Sequence, residues 1–391
     1  MTATFAELWA EIAPIGREPA GGYLRYALSE PELVLRDWFR NQADRRDMEV
    51  TEDGNGNLFA WWGAPYGHGA VVTGSHFDSV PHGGGYDGPL GIVSAFLAID
   101  ALRDRGVVPG KPVAIAAFVE EEGARFGVPC LGSRLLTGAI DPERAAGLCD
   151  HDGVTFGEAL GARPAGALPD LMDRVSAVVE LHIEQGRALD VPVGVASAIW
   201  PHGRWRFDFT GDGDHAGTTR MADRHDPMLA FAYTVLAADK EARLAGAHAT
   251  MARVAVEPNA TNAIPSLVRG WLDARAADTP TLERLVEEVV KRAVDRAGRD
   301  GTQVTVEPES VSPEVAFDAA LARRLAALLG GAPILPTGAG HDAGVLSAHV
   351  PTAMLFVRNP SGVSHAPAEH AADADCVAGV AALATVLEDL T

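Results

Sequence analysis

Four short apolar runs, at 70–73, 113–119, 175–181 and 352–357, constrain this 391-residue sequence most, because each leads into a cluster of histidine, aspartate or glutamate. Near-continuous apolar runs of this length suit strands buried on both faces, the usual state of parallel strands. Helical patterns lie between them, for example at 90–103 and 318–329. Alternation of strand and helix predicts an α/β layer with helices on both faces of the sheet.

The middle of the chain follows a different pattern. Residues 204–209 read Arg-Trp-Arg-Phe-Asp-Phe, an alternation that marks a half-buried strand. A helix is expected over 226–243, strands over 249–257 and 267–275, a long helix over 281–299, and a last alternating strand over 302–307. The order β-α-β-β-α-β is that of a ferredoxin-like split βαβ unit. It predicts an α+β domain at 203–312, inserted into an α/β domain made of 1–202 and 313–391. There is no internal repeat and no low-complexity tract.

Composition removes several classes of partner. Lys and Arg number 32 against 53 Asp and Glu, a formal net charge of −21. Such a surface repels phosphate backbones and anionic lipid heads, which argues against nucleic-acid and membrane partners. A local site can still oppose the global field, so a small anionic substrate stays open. Cys130, Cys149 and Cys376 are far apart, which fits a reducing compartment and leaves no thiolate zinc motif. The N-terminus lacks a basic segment followed by an apolar one, and no stretch approaches 18 uninterrupted apolar residues. The expectation is a soluble cytoplasmic protein.

The chemistry gathers where the apolar runs end. Gly74-Ser75-His76-Phe77-Asp78-Ser79 follows the first run, with Tyr86-Asp87-Gly88 shortly after. Glu120-Glu121-Glu122-Gly123 follows the second, His182-Ile183-Glu184-Gln185-Gly186 the third, and Ser361-Gly362-Val363-Ser364-His365 the fourth. Ligands of open α/β sheets bind at the carboxyl ends of the strands. Imidazoles and carboxylates without thiolate suit zinc, manganese, cobalt or nickel. They are more than one catalytic zinc needs, and fit a pair of ions sharing a carboxylate, roughly 3.5–4 Å apart. Taken singly, a histidine is more often a surface or satisfied core residue, and three consecutive acids are more often a solvated loop. The acids at 120–122, however, end a strongly apolar strand, and four such clusters at one edge favour a metal site. Gly83-Gly84-Gly85 lacks the ending of a phosphate loop.

These segments resemble the hydantoinase/carbamoylase family of amidases. The resemblance extends through Glu121-Glu122-Gly123-Ala124-Arg125-Phe126-Gly127, His215-Ala216-Gly217-Thr218-Thr219, Pro258-Asn259-Ala260-Thr261-Asn262-Ala263-Ile264-Pro265, Gly338-Ala339-Gly340-His341-Asp342-Ala343 and Ser364-His365-Ala366-Pro367-Ala368-Glu369. It covers the chain from about residue 20 to the end. It implies a metal-dependent exopeptidase-like catalytic domain, a mixed sheet flanked by helices, with an inserted ferredoxin-like domain serving as dimerisation and lid element. His182 separates the pattern from the related peptidases, which usually have a carboxylate ligand there.

The resemblance also implies roles. His76, Asp87, Glu122, His182 and His365 match metal ligands for two divalent ions per subunit, with Asp87 bridging. Glu121 matches the general acid/base, and Asp78 the acid that orients His76. His215 matches a group that holds the oxyanion. Asn262, Arg275, Gln185, Gly340 and His341 match substrate-binding residues. The implied reaction is hydrolysis of an N-carbamoyl-L-amino acid, a small ureido substrate with a carboxylate, by a homodimer. Allantoate amidohydrolase and β-ureidopropionase are the alternatives. A dimetal peptidase or aminoacylase is disfavoured by His182, and a silent metal-binding scaffold by Glu121. Glu120, Arg220 and the bulky Trp200-Pro201-His202 depart from the family pattern and bear on the choice of substrate.

Overall fold

The structure is a computed structural model that describes residues 3–391. The chain divides into two units, one running to Ile199 and resuming over Ala316–Thr391, the other spanning Trp200–Val315.

The first six strands are β1 (Glu49–Glu52), β2 (Leu58–Trp62), β3 (Ala70–His76), β4 (Val113–Phe118), β5 (Val175–Ile183) and β6 (Val193–Ile199). The inserted unit carries β7 (His202–Thr210), β8 (Asp214–His215), β9 (His248–Glu257), β10 (Ala263–Ile264), β11 (Leu267–Arg275) and β12 (Gln303–Ser312). Then follow β13 (Val315–Ala316), β14 (Ile334–Thr337) and β15 (Thr352–Val357).

The sheet of the first unit has the order β1-β2-β4-β3-β5-β15-β6-β13, with β14 also paired to β6. The four central strands β4, β3, β5 and β15 run parallel, while β2 and β6 join antiparallel. Alternate residues of one strand enter different cores. Val113, Ile115 and Ala117 pack with the helix Pro89–Asp104, whereas Ala114, Ala116 and Phe118 pack with Leu346 and Val350 on the other face. Both faces are therefore apolar, and this is why the runs show no alternation. The parallel strands also end together. His76 pairs with Phe118 in register, and Phe356 with His182. All four clusters thus arise at one edge of the sheet.

A buried polar network ties the acidic turn after β4 to the sheet. Asn57 Oδ1 accepts the Val119 N–H at 3.1 Å, and Asn57 Nδ2 donates to Asp53 Oδ2 at 2.6 Å and to the Gly132 carbonyl at 3.1 Å. Asn57 and Val119 are both buried.

In the inserted unit the sheet order is β12-β7-β11-β9, all antiparallel, with two helices on one face. Asp226 caps the helix Pro227–Ala245 and Asp278 caps Thr279–Asp300, each side chain accepting a backbone N–H of the first turn. Phe207, Phe209, Val268 and Leu272 face these helices. The opposite face is polar: Arg269 pairs bidentately with Asp208, Arg206 pairs with Glu307, and Arg253 lies over the Trp271 ring. Among the described residues no helix is long and apolar enough to cross a membrane.

Replacing Asn57 with Ala leaves the Val119 N–H, the Gly132 carbonyl and one Asp53 oxygen short of a partner. Each buried group left unpaired costs about 1–3 kcal/mol, so Asn57→Ala is expected to lower the thermal unfolding midpoint. An unchanged midpoint would show that this network does not hold the turn.

Candidate metal centre

Asp87 stands at the middle of the site. It precedes the helix Pro89–Asp104, whose N-terminal turn begins at Gly88 with φ 84°. A side chain at Gly88 would run into the His76 ring, so only glycine fits there. The helix N-terminus also favours a carboxylate beside it.

Each Asp87 oxygen serves a different set of groups. Oδ1 lies 3.4 Å from His76 Nε2 and 3.2 Å from His182 Nε2. Oδ2 lies 3.3 Å from His365 Nε2, which is itself 3.3 Å from Glu122 Oε2. Donor atoms of His76, Asp87 and His182 fall within 4.8 Å of one another, as do those of Asp87, Glu122 and His365. Two donor groups therefore share one carboxylate.

The imidazoles are oriented for ligation. His76 Nδ1 faces the Asp78 main-chain oxygen at 3.0 Å, and His182 Nδ1 faces the Ile183 oxygen at 2.8 Å. A carbonyl can only accept, so each Nδ1 carries a proton and each ring turns its Nε2 toward the carboxylates; at His182 that nitrogen accepts the Gly88 N–H at 3.2 Å. Among the described residues, the buried His76 Nε2 has no hydrogen-bond partner. A buried orphan nitrogen among carboxylates is what a divalent ion would satisfy. These residues fit the metal the fold implies.

Charge points the same way. Burial pushes the Glu121 carboxyl well above the usual range, with Asp342, Glu122 and Asp87 adding to the rise against His76. Burial likewise lifts Glu122 to about 7, helped by Asp87, and Glu120 to about 8, helped by Asp78. Burial opposes a charged imidazole at His76, yet Glu121, Asp78 and Asp87 outweigh it and hold its pKa well above the usual value. Burial also works against a charged Asp87, but His182, His365 and His76 hold its carboxyl well below the usual range, so Asp87 carries the charge while Glu120, Glu121 and Glu122 are left short of positive partners.

Asp78 works mainly through the turn after β4. Its two oxygens accept the N–H groups of Glu121 at 3.2 Å and Glu122 at 3.0 Å. Its carboxylate stands 3.6 Å from His76 Nδ1, so the main-chain oxygen, not the carboxylate, is the closer partner of that ring. Glu121 Oε2 lies 3.6 Å from His76 Nε2, and the Cys130 thiol donates weakly to Glu121 Oε1 at 3.7 Å.

Gln185 sits against the acid core. Its Nε2 donates to Asp87 Oδ2 at 2.8 Å and lies 3.2 Å from His365 Nε2. Gly340 is exposed, whereas His341 is buried, with its ring edge-on to His182 at 4.6 Å. Among the described residues neither His341 ring nitrogen has a hydrogen-bond partner, and burial, reinforced by His182, drives its pKa well below the usual value.

His215, Asn262 and Arg275 belong to the inserted unit. β8 and β10 pair so that His215 opposes Ala263, next to Asn262. His215 Nδ1 accepts the Gly217 N–H at 3.0 Å, leaving Nε2 to carry the ring proton. Arg275 ends β11 and donates from Nε to Asp273 at 3.1 Å.

Sequence reasoning passed over Glu180. It is buried on β5, accepts from the Ser75 hydroxyl at 3.0 Å and from the Ala343 N–H at 3.0 Å, and shares a donor group with His182 and His341. The signal was a carboxylate inside an apolar run, two residues before His182 and so on the same face of the strand.

The profile of Peptidase family M20/M25/M40 matches residues 72–389. An N-carbamoyl-L-amino acid amidohydrolase of Geobacillus stearothermophilus is 34% identical, covering 95% of this chain and 94% of that one. An allantoate amidohydrolase of Escherichia coli (strain K12) is 32% identical, over 97% and 95%. The crystal structure of a hydantoinase/carbamoylase family amidase from Burkholderia vietnamiensis superposes with a TM-score of 0.85 at 30% identity, covering 100% of this chain and 98% of that one. With this donor set at the strand ends and matches over nearly the whole length, the chain belongs to Peptidase family M20/M25/M40, among its hydantoinase/carbamoylase amidases.

Proposed function

We propose that the protein hydrolyses an N-carbamoyl-L-amino acid to the amino acid, carbon dioxide and ammonia. The observation that carries the reaction type is Glu121 beside two donor groups that share Asp87. The 34% identity to an N-carbamoyl-L-amino acid amidohydrolase supports the choice of substrate. Allantoate is the second reading, supported by the 32% identity to an allantoate amidohydrolase.

In this reading His76 and His182 would hold one divalent ion and Glu122 and His365 a second, with Asp87 available to both. Zinc, manganese, cobalt and nickel all suit the donors. Bound there, the ions supply Lewis acidity that polarises the ureido carbonyl and acidifies water. Glu121 accepts the proton of the attacking water as the new C–O bond forms. It then gives that proton to the leaving nitrogen as the C–N bond breaks, because an amine leaves poorly unprotonated. The carbamic acid left over splits into carbon dioxide and ammonia. His215 offers its Nε2 proton to the developing oxyanion. Arg275 holds the substrate carboxylate with its planar fork, and Asn262, Gln185, Gly340 and His341 complete recognition.

A homodimer formed through the inserted unit is part of the proposal. Its support is apolar surface: Leu236 and Leu244 on the Pro227–Ala245 helix are 71% and 72% exposed, and Val254 on the edge strand β9 is 50% exposed. Light scattering on the purified chain should give twice the mass of one chain, and Leu236→Asp should shift it toward one. A monomeric wild type would remove this part.

Exhaustive demetallation should abolish ammonia release, and added Mn²⁺, Co²⁺, Ni²⁺ or Zn²⁺ should restore it. Glu121→Gln should keep its metal content and lose ~10²–10⁴ in rate; more than about a tenth of the rate remaining would remove Glu121 from proton transfer.

N-carbamoyl amino acids should turn over faster than allantoate or β-ureidopropionate in a parallel assay, and Arg275→Ala should raise KM more than it lowers kcat. A preference for allantoate would replace the first reading with the second.

A further inference from the structure

Glu369 is a buried carboxylate with no part in the reaction as described above. It follows His365 by four residues, in the loop after β15. One oxygen, Oε1, accepts two main-chain N–H groups from the far side of the sequence: Tyr86 at 2.9 Å and Asp87 at 3.0 Å. The residue is 6% exposed. Its path is shaped for it, since any Cβ at Gly84 would overlap the carboxylate. Tyr86, whose N–H it holds, is wedged between the stacked Trp9 ring at 4.6 Å and the His370 ring at 5.8 Å.

Placing another carboxylate next to buried Asp87 is electrostatically unfavourable. Accepting two N–H groups offsets only part of that cost, since burial and Asp87 still push its carboxyl up to about 7; the geometry of the two bonds, not the charge, is what joins the segments. The two bonds join the turn that carries Asp87 to the loop that carries His365. Those segments supply the shared ligand and the ligand of the second donor group, and nothing in the chain's local order keeps them in step.

We infer that Glu369 is a positioning residue, which sets the spacing of the two donor groups by pinning the Asp87 main chain to the His365 loop. This rests on the metal-centre reading above. Loss of a group that holds a metal ligand in place typically weakens metal affinity 10–100-fold.

The test is calorimetric titration of Co²⁺ into demetallated full-length protein. Glu369→Ala should bind Co²⁺ about 10–100-fold more weakly. Glu369→Gln keeps an amide oxygen that can accept both N–H groups, and should bind close to wild type. Gly84→Ala, which displaces the carboxylate without removing it, should weaken binding in the same direction and covers the case in which Glu369→Ala fails to fold. Wild-type affinity in Glu369→Ala or in Gly84→Ala overturns the inference while leaving the metal centre intact. Glu369→Gln as weak as Glu369→Ala also overturns it, because the charge and not the two hydrogen bonds would then matter. Failure of the wild type to bind Co²⁺ overturns both readings together.

Discussion

The division of Asp87 between two sets of donors governs the rest of the first unit. One oxygen faces His76 and His182, and the other faces His365 and Gln185. Two unit charges 4 Å apart interact by about 4 kcal/mol at an effective dielectric of 20. A buried group containing Asp78, Asp87, Glu121 and Glu122 is therefore stable only with cations or protons among the acids. The imidazoles, the helix N-terminus at Gly88 and the turn held by Asp78 are all arranged around that need.

The scaffold meets a second requirement, that ligands far apart in sequence arrive at one place. Parallel strands do this without long-range adjustment, because the residue after each strand lands on the same edge. The pairs His76 with Phe118 and Phe356 with His182 show the alignment directly. Covering both faces with apolar side chains keeps water from the sheet and leaves its edge as the polar opening.

Much of this was legible in the sequence, for identifiable reasons. Continuous apolar runs mark doubly covered strands: the 70–73, 175–181 and 352–357 runs lie within central strands, and the 113–119 run overruns β4 by Val119 alone. The alternation predicts a last strand over 302–307, whereas β12 passes through a register shift between Pro308 and Ser310 and continues to Ser312. β2 and β6 have no polar cluster behind them to mark them in the sequence. Motif reading placed Asp78 behind His76, but which of its oxygens meets the ring depends on the turn geometry, and the main-chain one is nearer. Glu180 was hidden by its apolar neighbours.

The two-sided core has a further consequence for how the sheet finds its alignment. When both faces are apolar, sliding one strand by a single residue exposes nothing greasy, so hydrophobicity alone does not select the pairing. The discrimination must come from buried polar groups whose partners are met in one register. Ser75 on β3 and Glu180 on β5, hydrogen-bonded at 3.0 Å within the interior, are such a pair, and a slip would strand both in an apolar layer. The residues crowding the reactive edge thus act as a key for assembly as well as for chemistry, and mutations aimed at one would disturb the other.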